Sequence, residues 1–123
     1  MKVDKFKIDG LMLLEPKVFK DDRGFFTERF REDQIKELGI TNHFSQDNFS
    51  RSDQNILRGL HFQFDKPQSK LVTCTHGSIL DVAVDVRKES KTFGQSVQVV
   101  LSGDKPQWFY IPAGFAHGFC VLS

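Results

Sequence analysis

Four histidines punctuate the chain, and two stand where an imidazole can do chemistry. His61 lies in the strand-like run Arg58-Gly59-Leu60-His61-Phe62-Gln63 and shares its parity with Gln63, so both side chains face one side. His117 closes Pro112-x-Gly114-x-x-His117, a tight turn that hands an imidazole to the next strand. Arg58 and Lys70 flank His61 in sequence and bring two cations beside a titratable base. An imidazole held in a pocket is suited to proton transfer near neutral pH. His61 reads equally well as a hydrogen-bonded histidine of a strand wall, since structural histidines are common.

Farther upstream, Asp22-Arg23-Gly24-Phe25-Phe26-Thr27-Glu28 and Gln46-Asp47-Asn48 add a guanidinium, aromatic rings, a carboxylate and amides. Singly, each has a plain structural reading. Arg23 is a turn cation, Phe25 and Phe26 are core, and Gln46 and Asn48 form a polar strand face. Asp81 and Asp85 share a face with Arg87 and resemble a catalytic carboxylate pair. Structural pairing with Arg87 or with turn amides is the reading preferred for both.

These side chains need a scaffold, and the punctuation is that of an all-β protein. Turn signals fall at Asp21 to Gly24, His76 to Ser78, Ser102 to Asp104 and Pro112 to Gly114. Ile79 to Arg87 alternates Leu80, Val82, Val84 and Val86 against Asp81, Ala83, Asp85 and Arg87, which predicts a strand with the aliphatic side inward. Leu71 to Cys74 and Gln95 to Leu101 read as further strands. Gln107 to Ile111 is apolar on both faces and predicts a fully buried one. One short helix is expected near residues 32–38, rich in helix formers and stopped by Gly39. Short strands at this spacing build a sandwich or barrel, and a jelly roll fits best.

Bulk properties set the outer limits. At 123 residues, with 39% hydrophobic and 27% charged residues and a net charge of +1, the chain is one domain of ordinary soluble balance. That balance argues against a disordered tail or a non-specific nucleic-acid binder. No apolar run nears the ~20 residues of a membrane span, and the polar start Met1 to Lys5 lacks a secretion signal. A cytoplasmic protein without nucleic-acid or membrane partners is the expectation. Cys74 and Cys120 form no metal-ligand spacing and read as buried reduced thiols. The 13 phenylalanines suit walls packed from both sides, with stacking on a flat ligand as a second use.

The Pro112-x-Gly114-x-x-His117 spacing resembles the second signature of the cupins, small barrels that hold ligands in their mouths. In metal-binding cupins the first signature is H-x-H followed by Glu. Here the matching stretch is His61-Phe62-Gln63-Phe64-Asp65, without the second His or the Glu. Two imidazoles and an amide make a poor site for zinc or iron, so no metal is expected.

Taken together, DDRGFFTE, QDNFS, RGLHFQ, PQSKLV, DVAVDVR and IPAGFAHGF resemble the dTDP-4-dehydrorhamnose 3,5-epimerases, in family order, from about Gly10 to Ser123. The resemblance implies a homodimer of cupin-like jelly-roll barrels acting on a dTDP-4-keto-6-deoxyhexose without metal or organic cofactor. It implies that His61 is the base at carbons 3 and 5, that Lys70 stabilises the C4 enolate, and that His117 lines the pocket. Arg23 and Arg58 then fit the diphosphate and sugar, since guanidinium forks suit phosphate oxygens. Glu28, Gln46 and Asn48 match nucleotide-binding positions, and Arg23 and Glu28 are implied to reach into a partner's pocket. If both Arg58 and His61 serve one site, their unequal parity demands an irregular strand, with a bulge expected at Gly59.

Family members continue beyond the point matching Ser123, where a tyrosine proton donor, an aspartate for the base and the closing strands are implied. Tyr110 does not match the donor's motif. The expectation is therefore a single domain over residues 1–123 that lacks its closing segment. An epimerase working at one carbon and a sugar-nucleotide-binding module without catalysis remain alternatives, with a metal-dependent cupin oxygenase third.

Overall fold

A computed structural model describes residues 1–65 and 67–123. Two four-stranded antiparallel sheets share one core. The first has the order β1 (Lys2–Lys5), β2 (Met12–Glu15), β9 (Trp108–Ile111), β6 (Lys70–Val72). The second runs β5 (Leu57–His61), β10 (Phe115–Val121), β7 (Ser78–Asp85), β8 (Ser96–Ser102). A separate hairpin pairs β3 (Val18–Asp21) with β4 (Gly24–Thr27) around the turn at Asp22 and Arg23. The single helix among the described residues, α1 (Glu32–Glu37), ends at Leu38 and Gly39, whose φ of 87° suits glycine alone.

β9 is buried on both faces, as its composition demands. Phe109 and Ile111 join Leu11, Ala83, Val97, Leu101 and Phe115 between the sheets. Tyr110 joins Leu14, Ile35 and Ile40 under α1, so the helix exists to cover the outer face of the first sheet. The Tyr110 hydroxyl donates to Asn42 Oδ1 at 2.8 Å on that outer side, away from the intersheet space.

β7 corrects the sequence-based expectation. Asp81, Ala83 and Asp85 are the inward residues, each fully buried, whereas Leu80, Val82 and Val84 are half-buried on the opposite face. The register explains the inversion. Ala83 pairs with His117 and Val97, and Asp81 with Phe119 and Val99, so the carboxylates share the face of the intersheet core. Buried carboxylates need partners, and these two are partnered unequally: Asp85 by Arg87, Ser90 and Thr92, Asp81 by His117 alone.

The phenylalanine expectation also fails in part. Phe19, Phe25, Phe26, Phe30, Phe49, Phe62, Phe64 and Phe93 are all exposed, so most of the 13 phenylalanines lie on the surface rather than in the walls. Cys74 and Cys120 are free thiols, half-buried rather than buried.

Candidate active site

β9 and β10 are joined by the short turn Pro112 to Gly114, so their neighbours β6 and β5 flank the same side of the sandwich. That side gathers the chemistry. On β5 and β10, His61 and His117 are direct cross-strand partners, and their side chains therefore face the same way. The ladder then jumps to Arg58 opposite Phe119, three residues on β5 against two on β10. β5 thus carries one extra residue between Arg58 and His61, and this bulge returns Arg58 to the face of His61.

Gly59 makes the bulge possible. Its φ is 103°, and a Cβ there would meet the His117 carbonyl oxygen at 2.7 Å and Gly118 Cα at 2.8 Å. Only glycine allows that approach. Arg58 is exposed, with Nε donating to Ser52 Oγ at 2.8 Å, and His61 is exposed at the sheet edge.

Behind the histidines lies a residue that the sequence reading set aside. Asp81, on β7 beside β10, is 0% exposed and takes His117 Nε2 at 2.8 Å on Oδ1. Its other oxygen, Oδ2, is buried without a hydrogen-bond partner among the described residues. Burial pushes the Asp81 carboxyl above the ordinary carboxylate range, against the hydrogen bond and charge of His117 and the charge of Lys70. Lys70 faces the same interior. It pairs with Ile111 two positions from the Val72–Phe109 pair, on the inward side of β6. Burial lowers the Lys70 ammonium's pKa, and Asp81 opposes that shift.

His61, His117, Asp81, Lys70 and Arg58 therefore converge on one face, in rows contributed by β5, β10, β7 and β6. The signal for Asp81 was present in the sequence, as an acidic residue on a strand next to the His117 strand. It was unreadable while the aliphatic side was taken as the core. Asp85 keeps its structural reading, with Arg87 Nε and Nη2 each donating at 3.0 Å.

The other expected residues stand elsewhere. Arg23 is at the β3–β4 turn, bonded to Asp21 at 2.7 Å and almost fully solvent-exposed. Glu28 meets Arg31 at 3.2 Å. Gln46 Nε2 donates to Asn48 Oδ1 at 3.1 Å in an irregular segment, not a strand. Among the described residues no hydrogen bond or ion pair joins these four to His61. Two surface hollows of about 440 and 490 Å³ also lie away from it, against Thr75, Gly77 and Ser102 and against Lys7, Arg87 and Thr92. On the His61 face, all of β5 from Leu57 to His61 is exposed. Among the described residues no three His, Cys, Asp or Glu side chains gather as metal donors, and no helix is long and apolar enough to cross a membrane.

The sequence profile described as dTDP-4-dehydrorhamnose 3,5-epimerase matches residues 5–123. The chain belongs to that family. An Escherichia coli K12 dTDP-4-dehydrorhamnose 3,5-epimerase is 54% identical across all of this chain, which spans 68% of that relative. Among solved structures, the Legionella pneumophila dTDP-6-deoxy-D-glucose-3,5-epimerase in complex with dTDP-4-keto-L-rhamnose superposes with a TM-score of 0.96 at 53% identity, over 99% of this chain and 65% of that one. A 3'-monoepimerase from Streptomyces bikiniensis in complex with dTDP-quinovose gives 0.88 at 32% identity, over 96% and 61%. The chain thus spans about two thirds of the length of its relatives. The two sheets are the cupin-like jelly roll of this epimerase family.

Proposed function

We propose that the chain carries the proton-abstracting face of a dTDP-4-keto-6-deoxyhexose epimerase, acting next to the C4 ketone at carbons 3 and 5 in rhamnose-type deoxysugar synthesis. The observation that carries this reading is the convergence of His61, His117 and Arg58 through the Gly59 bulge, with Lys70 opposite. Carbons beside a ketone are weak acids, so the reaction needs a base and positive charge where the enolate oxygen forms. His61 is the base in this account, and the exposed imidazole at the sheet edge is accessible to a sugar ring. Lys70 meets the developing enolate. His117, fixed by Asp81, lines the floor, and Arg58 binds the sugar-diphosphate region. No metal or organic cofactor takes part.

Arg23, Glu28, Gln46 and Asn48 are assigned to the nucleotide. The protein is assigned to the cytoplasm as a homodimer, and the exposed hairpin bearing Arg23, Phe25 and Phe26 supports a dimer in which it reaches a partner's site. Sedimentation tests the oligomer.

Incubation of dTDP-4-keto-6-deoxyglucose with the protein in D2O tests the chemistry. Deuterium at both C3 and C5 is the expected result. Deuterium at C3 alone assigns a monoepimerase, the second reading favoured by the Streptomyces bikiniensis likeness. Binding of dTDP with no exchange, beside an active control enzyme, overturns catalysis and leaves a binding module.

A further inference from the structure

We propose that Ser52 is a positioning residue for Arg58, a neutral acceptor that fixes the guanidinium through Nε and leaves its two terminal nitrogens and its full charge for the substrate's diphosphate. The role given to Arg58 rests on the epimerase reading above.

Arg58 is held from both ends. Its backbone lies in the β5 bulge, pressed against β10 so closely that a Cβ on Gly118 would lie 2.7 Å from the Arg58 carbonyl oxygen. Its side chain is held by Nε, which donates to Ser52 Oγ at 2.8 Å. Ser52 itself stands on an anchored segment. The turn that follows it is bonded to the end of β10. Asn55 N–H donates to Val121 O at 2.9 Å, and Val121 N–H donates to Ile56 O at 2.9 Å. Gln54 Nε2 donates to Leu122 O at 3.1 Å. Asn55 closes the turn with a φ of 71°, a left-handed conformation that asparagine tolerates. β10 therefore supports both the backbone of Arg58 and the hydroxyl that holds its side chain.

The kind of partner matters as much as its place. Arg23, Arg31 and Arg87 are each paired with a carboxylate. Among the described residues no carboxylate forms an ion pair with Arg58, although Asp53 adjoins Ser52 in sequence. A carboxylate would neutralise the guanidinium and compete with an incoming diphosphate. A hydroxyl occupies one donor and leaves the charge whole. Nη1 and Nη2 make no hydrogen bond among the described residues, and their N–H groups form the fork that suits phosphate oxygens. Holding Nε in advance also reduces the rotamer entropy lost when the anion binds.

Calorimetric titration with dTDP, alongside KM and kcat for deuterium exchange, tests the assignment. Ser52→Ala is expected to raise the dTDP Kd about fivefold, the scale of one lost hydrogen bond, with the loss falling on KM more than on kcat. Ser52→Thr keeps the hydroxyl and is expected to stay near the unaltered Kd. Ser52→Asp keeps an acceptor but cancels the charge, and is expected to weaken dTDP binding at least about tenfold. Arg58→Lys removes the Nε–H, so adding Ser52→Ala to it is expected to change Kd by less than about 1.5-fold. An unchanged Kd in Ser52→Ala overturns the proposal, as does a full-sized Ser52→Ala effect in the Arg58→Lys background. Ser52→Asp binding dTDP as tightly as Ser52→Thr overturns it too. Absence of exchange, with the dTDP affinities moving as expected, sinks the epimerase reading and leaves the positioning role. Failure of the unaltered protein to bind dTDP overturns both.

Discussion

Asp81 and Asp85 lie four residues apart on β7, point the same way and are equally buried, yet their surroundings push their carboxyl groups in opposite directions. Burial works against both carboxylates. At Asp85 it is outweighed: Arg87 donates from Nε, Nη2 and its backbone N–H, and the hydroxyls of Ser90 and Thr92 complete the shell. Those bonds hold Asp85 well below the usual carboxylate range. At Asp81 the single bond to His117 and the charge of Lys70 do not compensate, and its pKa rises. Five donors staple the loop after β7; one bond leaves the Asp81 carboxylate beside His117, within reach of the charge of Lys70. The saturated aspartate is architecture, and the under-satisfied one belongs to the site.

Replacing Asp85 tests the structural half most severely. Asp85→Ala leaves the Arg87 fork and two hydroxyls without their acceptor and is expected to destabilise by about 3 kcal/mol, read by urea denaturation. A loss under 1 kcal/mol contradicts the staple. Gly59→Ala comes next, at about 2 kcal/mol, because a Cβ at a φ of 103° meets the backbone of His117 and Gly118. The same variant should impair exchange activity by disturbing the Arg58–His61 alignment. Arg87→Lys keeps charge but loses the fork, for about 1 kcal/mol.

Asp81→Asn is the smallest in stability, within about 1 kcal/mol of the unaltered protein at pH 7, and can even raise it. Its effect falls on turnover, expected to drop at least tenfold in kcat. A large stability loss with full activity would reverse the assignments of the two aspartates.

The pH dependences carry opposite signs. Asp85 is held below its unfolded pKa, so its contribution is present above the ordinary carboxylate range and fades as pH falls through the lower folded value. Asp81 is held above its unfolded pKa. The unfolded chain releases that proton first, so a destabilising term appears as pH climbs through the carboxylate range and is complete above the raised folded value. Denaturation midpoints from pH 3 to 8 should therefore show a weaker acid-side fall in Asp85→Asn. In Asp81→Asn the gain should grow toward neutral pH.

This inversion also marks what could be read without coordinates. The β7 alternation located the strand but not its inward side, because polarity assigns the core only when buried polar residues have no partners. The partners of Asp81 and Asp85 come from β10, β6 and the loop after β7, which local pattern does not reveal. Parity together with the roles that the family resemblance implies for Arg58 and His61 was, by contrast, enough to require the bulge at Gly59, since the two cannot share a face of a regular strand. α1 and β9 were legible because helix formers stopped by Gly39, and an apolar run without alternation, each admit few alternatives. β1 to β4 escaped because four-residue strands such as Lys2–Lys5 carry too few residues for a period to show. Arg23 and Glu28 were singled out by family pattern alone, and the single chain places them on an exposed hairpin and beside Arg31.

The central claim is that His61 removes the proton. Deuterium wash-in to dTDP-4-keto-6-deoxyglucose should fall by at least about 10³-fold in His61→Ala, on the scale of losing a general base, while dTDP still binds. Exchange at the unaltered rate in a folded His61→Ala protein would contradict it.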